Sequence, residues 1–170
     1  MEQSFAALAA MPKEERYAQL ATDLALLLDG ETHVTAILAN TAAALHDAFA
    51  YFWVGFYTVS DATWLTLGPF QGPVACTRIR HGRGVCGTAW ANDATLVVPD
   101  VDAFPGHIAC SSASRSEIVI PVHDLRRSHR PVAMVLDIDS TELGAFTDAD
   151  RIGLERIVAV LEQALAACAN

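Results

Sequence analysis

"YFWVGFYTVSDATWLTLGPF" (residues 51–70) is where the chain changes its chemistry. Tyr51 to Val59 is aromatic and β-branched, which suits a pleated, half-buried surface. "SDAT" (60–63) reads as a turn, and "WLTLGPF" (64–70) returns as the partner of a hairpin. Pro69, Gly72 and Pro73 break the run. Strands joined by so short a turn pair antiparallel, because a parallel pair needs a crossover of a dozen or more residues.

On the N-terminal side, residues 13–28 place Tyr17, Leu20, Ala21, Leu24 and Leu28 on one helical face, with Gly30 as the stop. Residues 31–48 repeat the pattern through Val34, Ile37, Leu38 and Leu45. On the C-terminal side, "GVCGTAWAN" (84–92) reads as a short helix after a glycine loop, and 95–101 as a short strand. A polar loop covers 102–116, long enough to suggest function. "EIVIPV" (117–122) and "PVAMVLDI" (131–138) are strands joined by a charged turn. Thr147 and Asp150 form a capping box for a last helix, 148–168, with its stripe at Leu154, Ile157, Val158, Leu161 and Leu165. The expected class is α+β: one domain over residues 1–170, a central antiparallel sheet of 51–140 flanked by helices.

Hydrophobic residues are 52% of the 170 and charged ones 18%, an ordered globular composition. The net charge of -9 argues against nucleic acid and anionic membranes, which need a basic face, and favours a cationic or zwitterionic small ligand. The start has Glu2 where a secretory leader carries basic residues, and no apolar run approaches the ~20 residues of a membrane span, so the cytoplasm is expected. Thiols there are kept reduced, and the four cysteines read as core residues, ligands or redox groups rather than structural bridges.

"GRGVCG" (82–87) matches G-x-G-x-x-G, but a dinucleotide fold also needs a long following helix and a parallel strand beyond it. A tight turn whose glycines accept positive φ is the simpler reading. Cys76, Cys86, Cys110 and either His81 or His107 could supply four zinc ligands, yet structural zinc sites bring their ligands in close pairs and no such pair is present. In "VLDIDS" (135–140), strand alternation sets Asp137 and Asp139 on one face and Leu136 and Ile138 on the other. Two carboxylates so spaced lie roughly 6–7 Å apart. If the face is enclosed, at least one is pushed toward neutral pH and can lend a proton while its neighbour holds an ammonium; if it is open, they are a solvated strand end. Glu117 opens a strand directly after the loop carrying Cys110. Cys76 has Arg78 and Arg80 nearby in sequence, and Cys86 begins a helix beside Arg83; both settings lower a thiol pKa. Cys168, near the end of the last helix, reads as incidental.

With "WVGFY" (53–57), "LGPFQGPVAC" (67–76), "GRGVCGTA" (82–89), "GHIACSSASRSEIVIP" (106–121), "VLDIDS" (135–140) and "FTDAD" (146–150) in order, the chain resembles the free methionine-(R)-sulfoxide reductases, a GAF-domain family. The resemblance implies a GAF fold, with about six antiparallel strands and a small pocket closed by a loop. It implies Cys110 as the catalytic cysteine, Cys76 as the resolving one and Cys86 as an auxiliary thiol. Glu117, Asp137 and Asp139 would line the pocket, with Trp53 and Tyr57 as its aromatic wall. Cys110 would attack the sulfoxide sulfur and become a sulfenic acid, Cys76 would condense with it, and thioredoxin would reduce the disulfide. The "ACTRIRHGRGVC" segment (75–86) would act as a mobile flap. No cofactor and no metal is implied, and the apolar terminal helices permit a homodimer. The sequence departs from the family pattern in the longer tip "HDLRRSHR" (123–130) and in Ala133 and Met134. The competing reading is a non-catalytic GAF module that senses a small ligand or its own oxidation.

Overall fold

A computed structural model describes residues 4–106 and 112–168. Helix α1 spans Lys13–Leu27 and α2 spans Val34–Phe49. The second begins three residues later than its apolar period suggests. The Glu31 carboxylate accepts the backbone N–H groups of Thr32 and His33 at 2.7 and 2.8 Å, which holds that stretch outside the helix. The hairpin follows as expected, β1 Trp53–Val59 and β2 Trp64–Gln71. Its turn is pinned by Asp61 Oδ1, which accepts from the N–H groups of Thr63 and Trp64.

The chain continues through β3 Arg78–Arg80, α3 Gly84–Asn92, β4 Leu96–Val98, β5 Ser116–His123, β6 Val132–Ser140 and α4 Asp148–Ala166. The six strands form one sheet in the order β3-β2-β1-β6-β5-β4, and every described pair is antiparallel. That topology removes the dinucleotide reading of "GRGVCG": Gly82 (φ 72°) and Gly84 (φ 61°) turn the chain from the edge strand β3 into α3.

Side-chain alternation divides the sheet into two unlike faces. Val54, Phe56, Ile118, Ile120, Leu136 and Ile138 point toward α1, α2 and α4 and merge with the helices' apolar stripes. Leu20, Ile37, Leu45, Leu154 and Ile157 are fully buried there, each contributing roughly 1.5–3 kcal/mol. The opposite face carries Trp53, Tyr57, Val119 and Val135, covered by Val85, Cys86 and Ala89 of α3. The α4 capping box forms as its sequence predicts. Asp150 in addition accepts from Lys13 Nζ and from the Tyr17 hydroxyl, both at 2.9 Å, so one carboxylate ties α4 to α1.

Two expectations change. The 75–86 segment is not one continuous flap: Arg78–Arg80 is hydrogen-bonded to β2, and Cys86 lies within α3. An isolated Arg-Ile-Arg between a threonine and a glycine turn is too short for periodicity to reveal as a strand. The described part of the long loop begins with a turn of 3-10 helix, Val101–Ala103, held at its start by Asp100. His107 and Cys110 lie outside the described residues.

Candidate active site

Strand register assembles the acidic cluster. On β5 and β6, Glu117 sits opposite Asp139, and Asp137 lies two residues along β6 on the same face. On the other side of β6, Asp139 faces Trp53 and Asp137 faces Gly55. All three carboxylates therefore point into one cavity on the α3 side of the sheet, which Trp53, Tyr57, Cys86 and Ser114 also line. It offers about 40 Å³, space for a few water-sized groups. The open-face reading of the two aspartates does not hold, since Asp137 is 6% exposed and Asp139 is half-buried on the same face.

The aromatic wall is built across Gly55. A Cβ there would come within 2.6 Å of the Trp53 ring and 2.4 Å of Phe70, so only glycine lets the indole lie flat along β1. Trp53 stacks on Tyr57 and on Phe70, with ring centroids 5.9 and 5.3 Å apart. A register shift between Gly55 and Tyr57 in the β1–β2 pairing marks the same spot. Both aromatic residues also hold the segment after β2. Trp53 Nε1 donates to the Pro73 carbonyl at 3.1 Å, and the Tyr57 hydroxyl donates to the Cys76 carbonyl at 3.0 Å.

No Lys, Arg or His is among the described residues that line this cavity. Arg78, Arg80 and Arg83, close to the cysteines in sequence, are all exposed. Burial raises the Glu117 carboxyl well above its ordinary range, and the neighbouring Asp137 and Asp139 raise it further. Asp137 is raised by the same two causes, burial first and then Asp139. Asp139 is pushed up to about 6 by burial, moderated by the Ser114 hydroxyl, which donates to it at 2.6 Å. With no cation among the described lining residues, Glu117 and Asp137 are held toward their protonated forms.

The cysteines separate into different environments. The Cys86 thiol is buried and donates to Glu117 Oε1 at 3.8 Å. Burial, then Asp137 and Glu117, push its pKa up. The helix start and Arg83 suggested an activated thiolate, but the acids, invisible from local sequence, reverse the sign. Cys76 is disulfide-bonded, whereas Cys86 and Cys168 are free. Cys168 is buried against the helix-side core and donates to the Ala164 carbonyl. His81 is exposed and edge-on to Trp90.

Sequence reasoning passed over Ser114, which hydrogen-bonds Asp139, and the lining residues Phe52, Val74, Ile79 and Val85. A serine among four in one loop carries no periodic or charge signal. Ile79 and Val85 show their role only once β3 is seen to join the sheet at its edge and α3 to cover that face.

The GAF domain family model matches residues 33–165, from just before α2 to the last turn of α4. Free methionine-R-sulfoxide reductase of Escherichia coli is 50% identical over 157 residues, covering 92% of each chain. GAF domain-containing protein A of Dictyostelium discoideum is 52% identical over 150 residues, 88% of this chain and 92% of that one. Among solved structures, free methionine-R-sulfoxide reductase from Neisseria meningitidis in complex with its substrate superposes with a TM-score of 0.85 at 49% identity, covering 92% of both chains. With an antiparallel six-stranded sheet and an acidic pocket on its α3 face, this chain belongs to the GAF-domain family, in its branch of free methionine-R-sulfoxide reductases.

Proposed function

We propose that the protein is an oxidoreductase that reduces free L-methionine-(R)-sulfoxide to L-methionine. The observation that carries the reading is the juxtaposition of Glu117, Asp137 and Asp139 with the Trp53–Tyr57 wall in one cavity. A sulfoxide sulfur is a sluggish electrophile until its oxygen is protonated. A carboxyl that keeps its proton at neutral pH supplies that proton, and an ionised neighbour holds the substrate ammonium. The aromatic wall packs on the methyl-thioether end, where sulfur sits well against ring edges.

Cys110 attacks the sulfur; the oxygen stays with the enzyme as the Cys110 sulfenic acid, and methionine leaves. The Cys76 thiol condenses with the sulfenic acid, releasing water and forming a disulfide. Thioredoxin then returns both sulfurs to thiols by dithiol exchange. Cys76 being held in a disulfide while Cys86 and Cys168 are free supports that division of labour. Cys86 assists as a protonated thiol hydrogen-bonded to Glu117 rather than as a nucleophile. Motion belongs to residues 72–77, between β2 and β3, where Pro73, Val74 and Ala75 line the cavity and Val74 is 88% exposed. This segment opens to admit the substrate.

The test offers the R and S epimers of free methionine sulfoxide with a thioredoxin system and measures methionine by chromatography. Turnover of the R epimer, lost in Cys110→Ser, is expected. Equal turnover of both epimers, or retained activity in that variant, contradicts the scheme. The sensor alternative predicts ligand binding without turnover in the same assay.

A further inference from the structure

The pocket leaves one buried carboxyl oxygen without a hydrogen-bond partner among the described residues. Cys86 Sγ, a Glu117 oxygen and an Asp137 oxygen all lie within 4.8 Å of one another, and all three residues are buried. Asp137 Oδ1 is buried without a hydrogen-bond partner among the described residues, although Asp137 lines the cavity and is only 6% exposed. A buried carboxyl oxygen left unpaired is costly, because it has given up water without a replacement donor. No cationic side chain is present among the described lining residues to relieve it.

We propose that Cys86, Glu117 and Asp137 form a site for a borderline divalent cation of the Zn²⁺ class, which shuts the pocket by competing with the amino-acid substrate. One thiolate and two carboxylates suit such an ion better than Mg²⁺ or Ca²⁺, which take oxygen ligands alone. Tetrahedral zinc with Zn–S of about 2.3 Å and Zn–O of about 2.0 Å sets its sulfur and oxygen ligands roughly 3.5 Å apart. The Cys86 Sγ to Glu117 Oε1 separation is already 3.8 Å. Coordination is not redox: the thiol gives its proton to solvent as the sulfur–metal bond forms, and the carboxyl protons leave likewise. The fourth position falls to water. This trio differs from the sequence-level zinc set: His81 is exposed, and beside Cys86 stand acids from two strands.

The competition rests on the reductase reading; the binding does not. The probe is Co²⁺, added to air-oxidised protein in a Cys168→Ser background, so that Cys86 is the free thiol observed. A sulfur-to-cobalt charge-transfer band in the near ultraviolet is expected at one equivalent, with the intense visible bands of tetrahedral cobalt, and displacement by Zn²⁺. Cys86→Ser abolishes the charge-transfer band, and Asp137→Asn weakens cobalt binding tenfold or more. Absence of the band, or its survival in Cys86→Ser, overturns the site; should Cys86→Ser fail to fold, unchanged cobalt affinity in Asp137→Asn and Glu117→Gln overturns it instead. In a separate turnover assay Zn²⁺ raises the apparent KM for methionine sulfoxide without lowering kcat. Inhibition that lowers kcat alone overturns the competition. A protein that binds cobalt in this way but turns over no sulfoxide refutes the reductase reading and leaves the site standing.

Discussion

The two faces of the sheet treat a buried carboxylate in opposite ways. On the helix side Asp150, 2% exposed, accepts from Lys13, from the Tyr17 hydroxyl and from both the N–H and the hydroxyl of Thr147. Burial pushes its pKa up, but those hydrogen bonds outweigh burial and leave it lowered. On the α3 side Glu117 and Asp137 are buried nearly as deeply, with acids and a thiol for neighbours, and are raised. The difference lies in partners rather than depth. A carboxylate with donors on every side is structural; carboxylates packed together without a cation hold protons and attract positive charge, which is what a proton-donating, ammonium-binding site requires.

The largest effect that would sharpen this contrast is on turnover. Glu117→Gln keeps shape and burial but removes the exchangeable acid proton, so kcat/KM for the R sulfoxide should fall by about 10²–10⁴, with Tm unchanged or raised. A loss of Tm instead would place Glu117 with Asp150 as a structural carboxylate.

The intermediate effect is on stability. Asp150→Asn breaks the Lys13 ion pair and the reciprocal cap and should cost about 2–3 kcal/mol by urea unfolding, with steady-state kinetics close to wild type. Because the Asp150 pKa is lowered in the folded state, its contribution is complete above the unfolded value near 3.8 and is lost as pH falls through the folded value. The variant should therefore lose its disadvantage in acid. A variant that unfolds no more easily at pH 7 would remove the contrast.

The smallest effect runs the other way. Asp139 has a folded pKa of about 6 against 3.8 for the ordinary side chain. The folded protein binds the proton more tightly than the unfolded chain, so stability falls as pH rises from about 4 to 6 and stays reduced above that. Asp139→Asn should raise stability by about 1–2 kcal/mol at pH 8 and by nothing near pH 4, while impairing turnover. A variant less stable at pH 8 would mean that the Ser114 hydrogen bond outweighs desolvation.

Much of the architecture was legible because it follows from local periodicity. The α1 stripe, the 51–70 hairpin, the capping box and the alternation in 135–140 each depend on residues a few positions apart, and the structure reproduces them. β3 was not legible: three residues carry no period, and their pairing with β2 is a tertiary contact. Cys86 shows the same limit in the site. Its neighbours in sequence, a helix start and Arg83, suggest a lowered pKa, while its neighbours in space, Glu117 and Asp137, raise it.

By itself the sequence determined the alternating faces, the helix stripes, the antiparallel connection and the residue types available for redox chemistry, since all of these are set within a turn or a hairpin. Only the tertiary structure decided that acids from β5 and β6 share a cavity with a thiol from α3, that the arginines near that thiol face solvent, and that Asp150 receives the Lys13 charge while no cationic side chain is among the described residues lining the Glu117–Asp137 cavity. Electrostatics depends on distance through space and on exclusion of water, and neither is a property of neighbours along the chain.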